Sequence, residues 1–218
     1  MASDQRESEF KLELRERPRG LRRELYIGGS FSTLAGTPVS NIARFNGTSV
    51  QPVGPAGNAG TTGAVNMLAE FGGELIVGGD FASAGPMGAA RVARWNGSAW
   101  QRLGTAMSNG ISSFVTALGV YQGDLLAAGH FLSAGDAVTP DRIARFDGAH
   151  WSAFPGGDGL NAGSVVNAFA EFEGDLIIAG GSPDGSVSDP THPVARWNGV
   201  SWQTLGTLSG GDSFLEVL

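Results

Sequence analysis

"VARWNGSAWQRLG" runs from Val92 to Gly104. Near-copies begin at Ile42 ("IARFNGTSVQPVG"), at Ile143 ("IARFDGAHWSAFP") and at Val194 ("VARWNGVSWQTLG"). Each has a four-residue run containing Arg, then Asn-Gly or Asp-Gly, then a second short run that opens on Trp in three of the copies. Independent landmarks keep the same phase. The glycines closing "YIGG", "IVGG", "LAAG" and "IIAG" fall at Gly29, Gly79, Gly129 and Gly180. The arginines fall at Arg44, Arg94, Arg145 and Arg196. Shared phase over a period of about 50 residues is the mark of a repeat architecture.

Within a unit, short apolar runs alternate with turn residues. Strand A is "VNMLAEF" (65–71), repeated at 115–121 and 166–172. Strand B is "ELIVGGDF" (74–81) and its copies, strand C the "VARW" segment, and strand D the "AWQRLG" segment. Runs of four to eight residues bounded by Gly, Asn and Asp are strands. The dipeptides Asn46-Gly47, Asn96-Gly97, Asp147-Gly148 and Asn198-Gly199 predict two-residue type I′ hairpins between C and D. Gly72-Gly73, Gln122-Gly123 and Glu173-Gly174 predict tight turns between A and B. Four antiparallel strands per repeat predict an all-β chain, a β-propeller of four four-stranded blades. The repeats span about 24–54, 64–104, 114–154 and 165–206.

The first unit starts at strand B, and "SFLEVL" (213–218) resembles a further strand A. Pairing of 213–218 beside 24–29 closes a four-blade ring. A stretch of a longer repeat array is the other outcome of the same phase. Residues 1–23 are charge-rich and broken by Pro18, which predicts a disordered or weakly helical leader.

Composition narrows the chemistry. The chain has 218 residues, a net charge of −7, 35 glycines and no cysteine. Disulfides and thiolate metal sites are excluded. An acidic chain lacks the basic face that phosphate contacts need, so no nucleic-acid partner is expected. No apolar run approaches a membrane span, and no signal peptide is visible.

The glycine pair ending strand B, the aromatic ending strand C (Phe45, Trp95, Phe146, Trp197) and the strand-D Trp resemble kelch-type repeats. The fuller wording "LYIGGSFSTLAG…NIARFNG" is similar to the propeller repeats of the cortical-marker group and related bacterial surface proteins. The resemblance covers Leu25 to about Gly206. It implies a non-catalytic surface or interaction domain, extracellular or at the cell surface.

The recurring arginines invite an anion-binding ring. A structural role competes: Glu24, Glu74, Asp124 and Asp175 open strand B, and antiparallel pairing puts them beside the arginine of strand C. Trp100, Trp151 and Trp202 are expected to pack between neighbouring blades, with a sugar-stacking role as the alternative. The sequons at Asn46 and Asn96 are already explained by turn chemistry.

Function is expected at the B–C and D–A loops, because variable loops on a rigid ring carry recognition. The candidate ligand-binding residues there are Asp80, His130, Asp136, Asp184 and His192. The expected function is a binding or scaffold module for a protein or glycan. The alternatives are a carbohydrate- or Ca²⁺-binding lectin-like propeller, and a hydrolase or lyase at the channel mouth. No GxxxxGK, GxSxG, EF-hand or zincin pattern occurs, so no catalytic residue, metal or cofactor is assigned.

Overall fold

The computed structural model describes residues 11–15, 24–104, 110–135, 137–138, 143–155, 166–180 and 192–208. They form an all-β chain built on four four-stranded antiparallel sheets, consistent with a β-propeller. The second sheet orders Val65–Phe71, Glu74–Gly79, Val92–Trp95 and Trp100–Gln101 from one edge to the other. The third orders Val115–Tyr121, Asp124–Gly129, Ile143–Phe146 and Trp151–Ala153. The fourth orders Ala168–Phe172, Asp175–Ala179, His192–Trp197 and Trp202–Leu208. Each is the A-B-C-D sequence expected from the repeat. No helix among the described residues is long and apolar enough to cross a membrane.

The first sheet departs from expectation. Its order is Lys11–Arg15, Glu24–Gly28, Ile42–Phe45 and Val50–Pro52. The leader is therefore not wholly outside the fold. Lys11–Arg15 is the strand A of this sheet, pairing Lys11 with Gly28 and Arg15 with Glu24. It occupies the position expected for 213–218, which lie outside the described residues. The physical reason is local: Leu12 and Leu14 alternate with charged residues, the period-two pattern of a strand.

The turns also redistribute. Phe71 pairs with Glu74, Tyr121 with Asp124 and Phe172 with Asp175, so the A–B turns are the two-residue hairpins. Both central residues have positive φ: 58° and 74° at Gly72-Gly73, 50° and 85° at Gln122-Gly123. That is type I′ geometry. The C–D turns are not. Phe45 pairs with Val50 and Trp95 with Trp100, leaving four-residue loops. The side chain of Asn46 accepts from the Thr48 and Ser49 amides at 2.9 and 3.0 Å. Asn96, Asp147 and Asn198 repeat the arrangement. An Asn or Asp oxygen offers these amides a local acceptor, and that competes with the type I′ conformation.

The turn needs only the acceptor, which is why Asp147 replaces Asn without change of form. The amides of His150 and then Ala149 hold its carboxyl below the ordinary 3.8. A depressed folded-state pKa contributes stability that is complete above the unfolded value and lost as pH falls through the folded one. Asp147→Asn keeps the acceptor at every pH. We expect the melting temperature of this variant to gain on the parent as pH drops below 3.8, and to track it above. Parallel melting curves through acid would refute the assignment.

Three apolar clusters lie in the joints between consecutive sheets. The first joins Tyr26, Ile42 and Val53 to Val65, Leu75, Val77, Trp95 and Trp100. The second joins Ile76, Val92 and Leu103 to Val115, Leu125, Phe146 and Trp151. The third joins Tyr121, Leu126, Ile143 and Phe154 to Val166, Leu176, Ile178 and Trp197. At each joint the earlier sheet offers its leading face and the later sheet its trailing face. Strand-D tryptophans seal the joints from the trailing side. The indole N–H of Trp100 donates to the Val53 carbonyl, and that of Trp151 to the Leu103 carbonyl, both at 3.1 Å.

Strand A of the third sheet lies close against that of the fourth, where a Cβ on Gly119 would stand 2.7 Å from the Phe169 Cβ. Strand A of the second and third sheets is bulged at Asn66 and Thr116, where the pairing register shifts. The Thr116 hydroxyl turns toward the next repeat and donates to the Val166 carbonyl at 2.6 Å. The Tyr121 hydroxyl reaches the Gly174 carbonyl at 3.3 Å. Burial, then the Asp175 and Glu171 carboxylates, push its pKa up.

Candidate functional site

The B–C connections were expected to be irregular, and the first three are not. Thr33–Leu34 pairs with Thr37–Pro38, Ser83–Ala84 with Met87–Gly88, and Ser133–Ala134 with Ala137–Val138. Each connection is a small hairpin arm of the same form.

The described parts of the first two D–A connections wedge between successive arms. The Thr61 amide donates to the Ser40 carbonyl of its own repeat at 3.0 Å, and the Thr62 amide to Ser83 of the next at 3.0 Å. Ile111 and Ser112 repeat this on Ala90 and Ser133 at 2.9 and 3.1 Å. The Thr62 hydroxyl accepts from the Ala82 and Ser83 amides, as Ser112 does from Leu132 and Ser133. Gly54, Gly60 and Gly63 of "GPAGNAGTTG" belong to this packing, while Gly57 faces open space. A Cβ on Gly60 would lie 2.1 Å from the Ser40 carbonyl oxygen, so the backbones can meet only at glycine.

Between the first arm and its D–A connection lies an open cleft of about 680 Å³. Its polar lining comes mainly from Ser30, Ser32, Ser40, Asn41, Asn58 and Thr62, with Phe31 as its aromatic surface. Ser30, Ser32, Ser40, Asn58 and Thr62 are exposed, and Phe31 is partly so. No charged residue lines it. Asn41 sits at φ 62° and donates from Nδ2 to the Thr61 carbonyl at 2.9 Å, bracing one wall. Asn tolerates that left-handed conformation better than most residues. Arg91 occupies the same place in the second repeat, at φ 63°, with its guanidinium 5.9 Å from the Phe114 ring.

The candidate residues fall elsewhere. Asp80 and His130 are exposed and occupy equivalent positions, their amides donating to Ala64 and Phe114 carbonyls at 2.9 Å. Asp136 and Asp184 lie outside the described residues. His192 pairs with Leu208 through the backbone. Among the described residues, no three His, Asp or Glu side chains gather as a metal-binding group.

The arginines meet the expected carboxylates. Arg44 approaches Glu24 at 3.6 Å and Arg94 approaches Glu74 at 3.4 Å. Arg145 contacts Asp124 and Arg196 contacts Asp175. The guanidiniums remain about a quarter to nearly half exposed. Pairs so placed contribute roughly 1 kcal/mol or less each. Their positive charge is engaged, and none of the four lines the cleft.

The sequence reading missed the cleft. Its signal is the density of uncharged hydroxyl and amide residues in "GGSFSTLAGTPVSN" and "GNAGTT", where acids had drawn attention to other loops. No protein-family model matches the chain, and no curated protein is significantly similar to it.

Proposed function

We propose that the chain is a β-propeller binding module, its four sheets acting as blades, that holds a neutral, hydroxyl-rich ligand such as a cell-surface glycan at the arm end. The observation that carries this is the lining of the cleft: serine, threonine and asparagine side chains without a single charge. Hydroxyl and amide groups both donate and accept, which suits sugar hydroxyls in either role. A charged ligand finds no counter-ion there. Phe31 supplies a partly exposed ring against which the apolar face of a pyranose can lie. The arms and the wedged connections hold these groups on fixed backbone, so little ordering accompanies binding. The kelch-like resemblance agrees with a non-catalytic role at an extracellular or cell surface.

A glycan array on the purified chain tests this. We expect retention of at least one neutral oligosaccharide, lost in Asn58→Glu, which places a carboxylate in the cleft. An array without hits, or binding indifferent to Asn58→Glu, would overturn the assignment.

A further inference from the structure

The three joints between sheets are built from equivalent positions, most of them buried, so the leading face of the fourth sheet and the trailing face of the first can be compared with them. The leading faces of the first three sheets carry Val53, Leu103 and Phe154 in strand D, all buried. The equivalent Leu205 of the fourth sheet is 52% exposed. Ending strand A, Phe71 of the second sheet is partly buried and Tyr121 of the third is buried, whereas the equivalent Phe172 is 64% exposed. In strand B, Tyr26, Ile76 and Leu126 are buried and Ile177 is only partly so.

The trailing face of the first sheet shows the complement. Leu25, Ile27 and Phe45 are partly exposed, where Leu75, Val77 and Trp95 are buried. Val50 stands in place of the sealing Trp and is also partly exposed. The leading face of the fourth sheet and the trailing face of the first thus present the apolar positions of an internal joint.

We propose that the leading face of the fourth sheet docks on the trailing face of the first sheet in a second copy, joining two chains head to tail. The occupant follows from continuity: the two faces are the halves of a joint the chain already makes three times. Closure within one chain would bury Phe172 and Leu205, and both are exposed. Two copies make two such joints, and a head-to-tail contact that closes gives a ring. The joint differs from the internal ones in one respect. Val50 has no indole N–H to donate to the carbonyl of the opposing strand D, so it separates more readily than a Trp-sealed joint. This proposal uses different residues from the cleft and stands independently of the ligand.

Sedimentation equilibrium on the whole chain tests it. We expect a species of twice the 22.4 kDa chain mass, dissociating on dilution. Phe172→Glu on the leading face and Val50→Glu on the trailing face should each give monomer. Leu205→Glu is a second leading-face variant, and far-UV circular dichroism confirms that each retains its sheets. Mixing Phe172→Glu with Val50→Glu restores one intact joint, so a heterodimer should form. A monomeric parent, a Val50→Glu chain that still dimerises, or a mixture that stays monomeric would each overturn the proposal.

Discussion

Trp100→Ala is expected to cost about 3–5 kcal/mol of unfolding free energy, the range for truncating a buried aromatic. It is 5% exposed, its ring lies 5.3 Å from that of Trp95 in a tilted pair, and it closes the first joint. Removing it opens a cavity between two sheets and leaves the Val53 carbonyl without its indole donor. Trp100→Phe separates these contributions. It retains most of the ring and removes only the indole donor; the Val53 carbonyl still accepts from the Gly60 amide at 2.7 Å, so the expected loss is about 0.5–1.5 kcal/mol, that of one hydrogen bond. Urea midpoints of the three proteins measure both. A Trp100→Ala midpoint equal to that of the parent would show that the joint does not depend on this side chain.

Gly129→Ala is expected to have an effect of similar size for a different reason. A Cβ there would lie 1.9 Å from the Phe114 carbonyl oxygen, a backbone atom that moves only if the A–B ladder opens. Overpacking against side chains costs about 1–3 kcal/mol, and backbone obstruction belongs at or above the upper end. The glycine is therefore kept for close approach, as at Gly79, where Ala64 stands 2.1 Å from the same added carbon. Gly88→Ala is the control, because nothing lies within 4 Å of a Cβ built there. Thermal melts should show a large drop for Gly129→Ala and little change for Gly88→Ala. Equal drops would mean that general loss of glycine, not the carbonyl, is responsible.

Some of this was legible from residues alone. The period, the strand order and the Arg–carboxylate pairs follow from phase and antiparallel pairing, and these survive small errors in boundary. The strand-D tryptophans were also legible as joint residues, since large aromatics recurring once per repeat have nowhere else to go. The turn chemistry was misassigned because Asn-Gly serves two geometries. The choice rests on whether the Asn46 oxygen caps two amides, which a dipeptide does not reveal. Lys11–Arg15 was obscured by its charged surroundings, although Leu12 and Leu14 alternate as a strand requires. The cleft was the least legible. Its walls depend on how far the 57–62 connection stands from the first arm, a distance set by the backbone contact of Gly60 with Ser40, and the glycine alone does not say which carbonyl it meets.

The wedged connections have a consequence for how the molecule comes apart. Residues 60–62 and 110–112 are hydrogen-bonded on both flanks, to the repeat that precedes and the repeat that follows. Peeling one repeat away strands peptide groups on its neighbour, so a local breach passes its cost along the row. The first three sheets should melt as one cooperative body rather than fray unit by unit, and a lesion at either wedge would be felt in both sheets it joins.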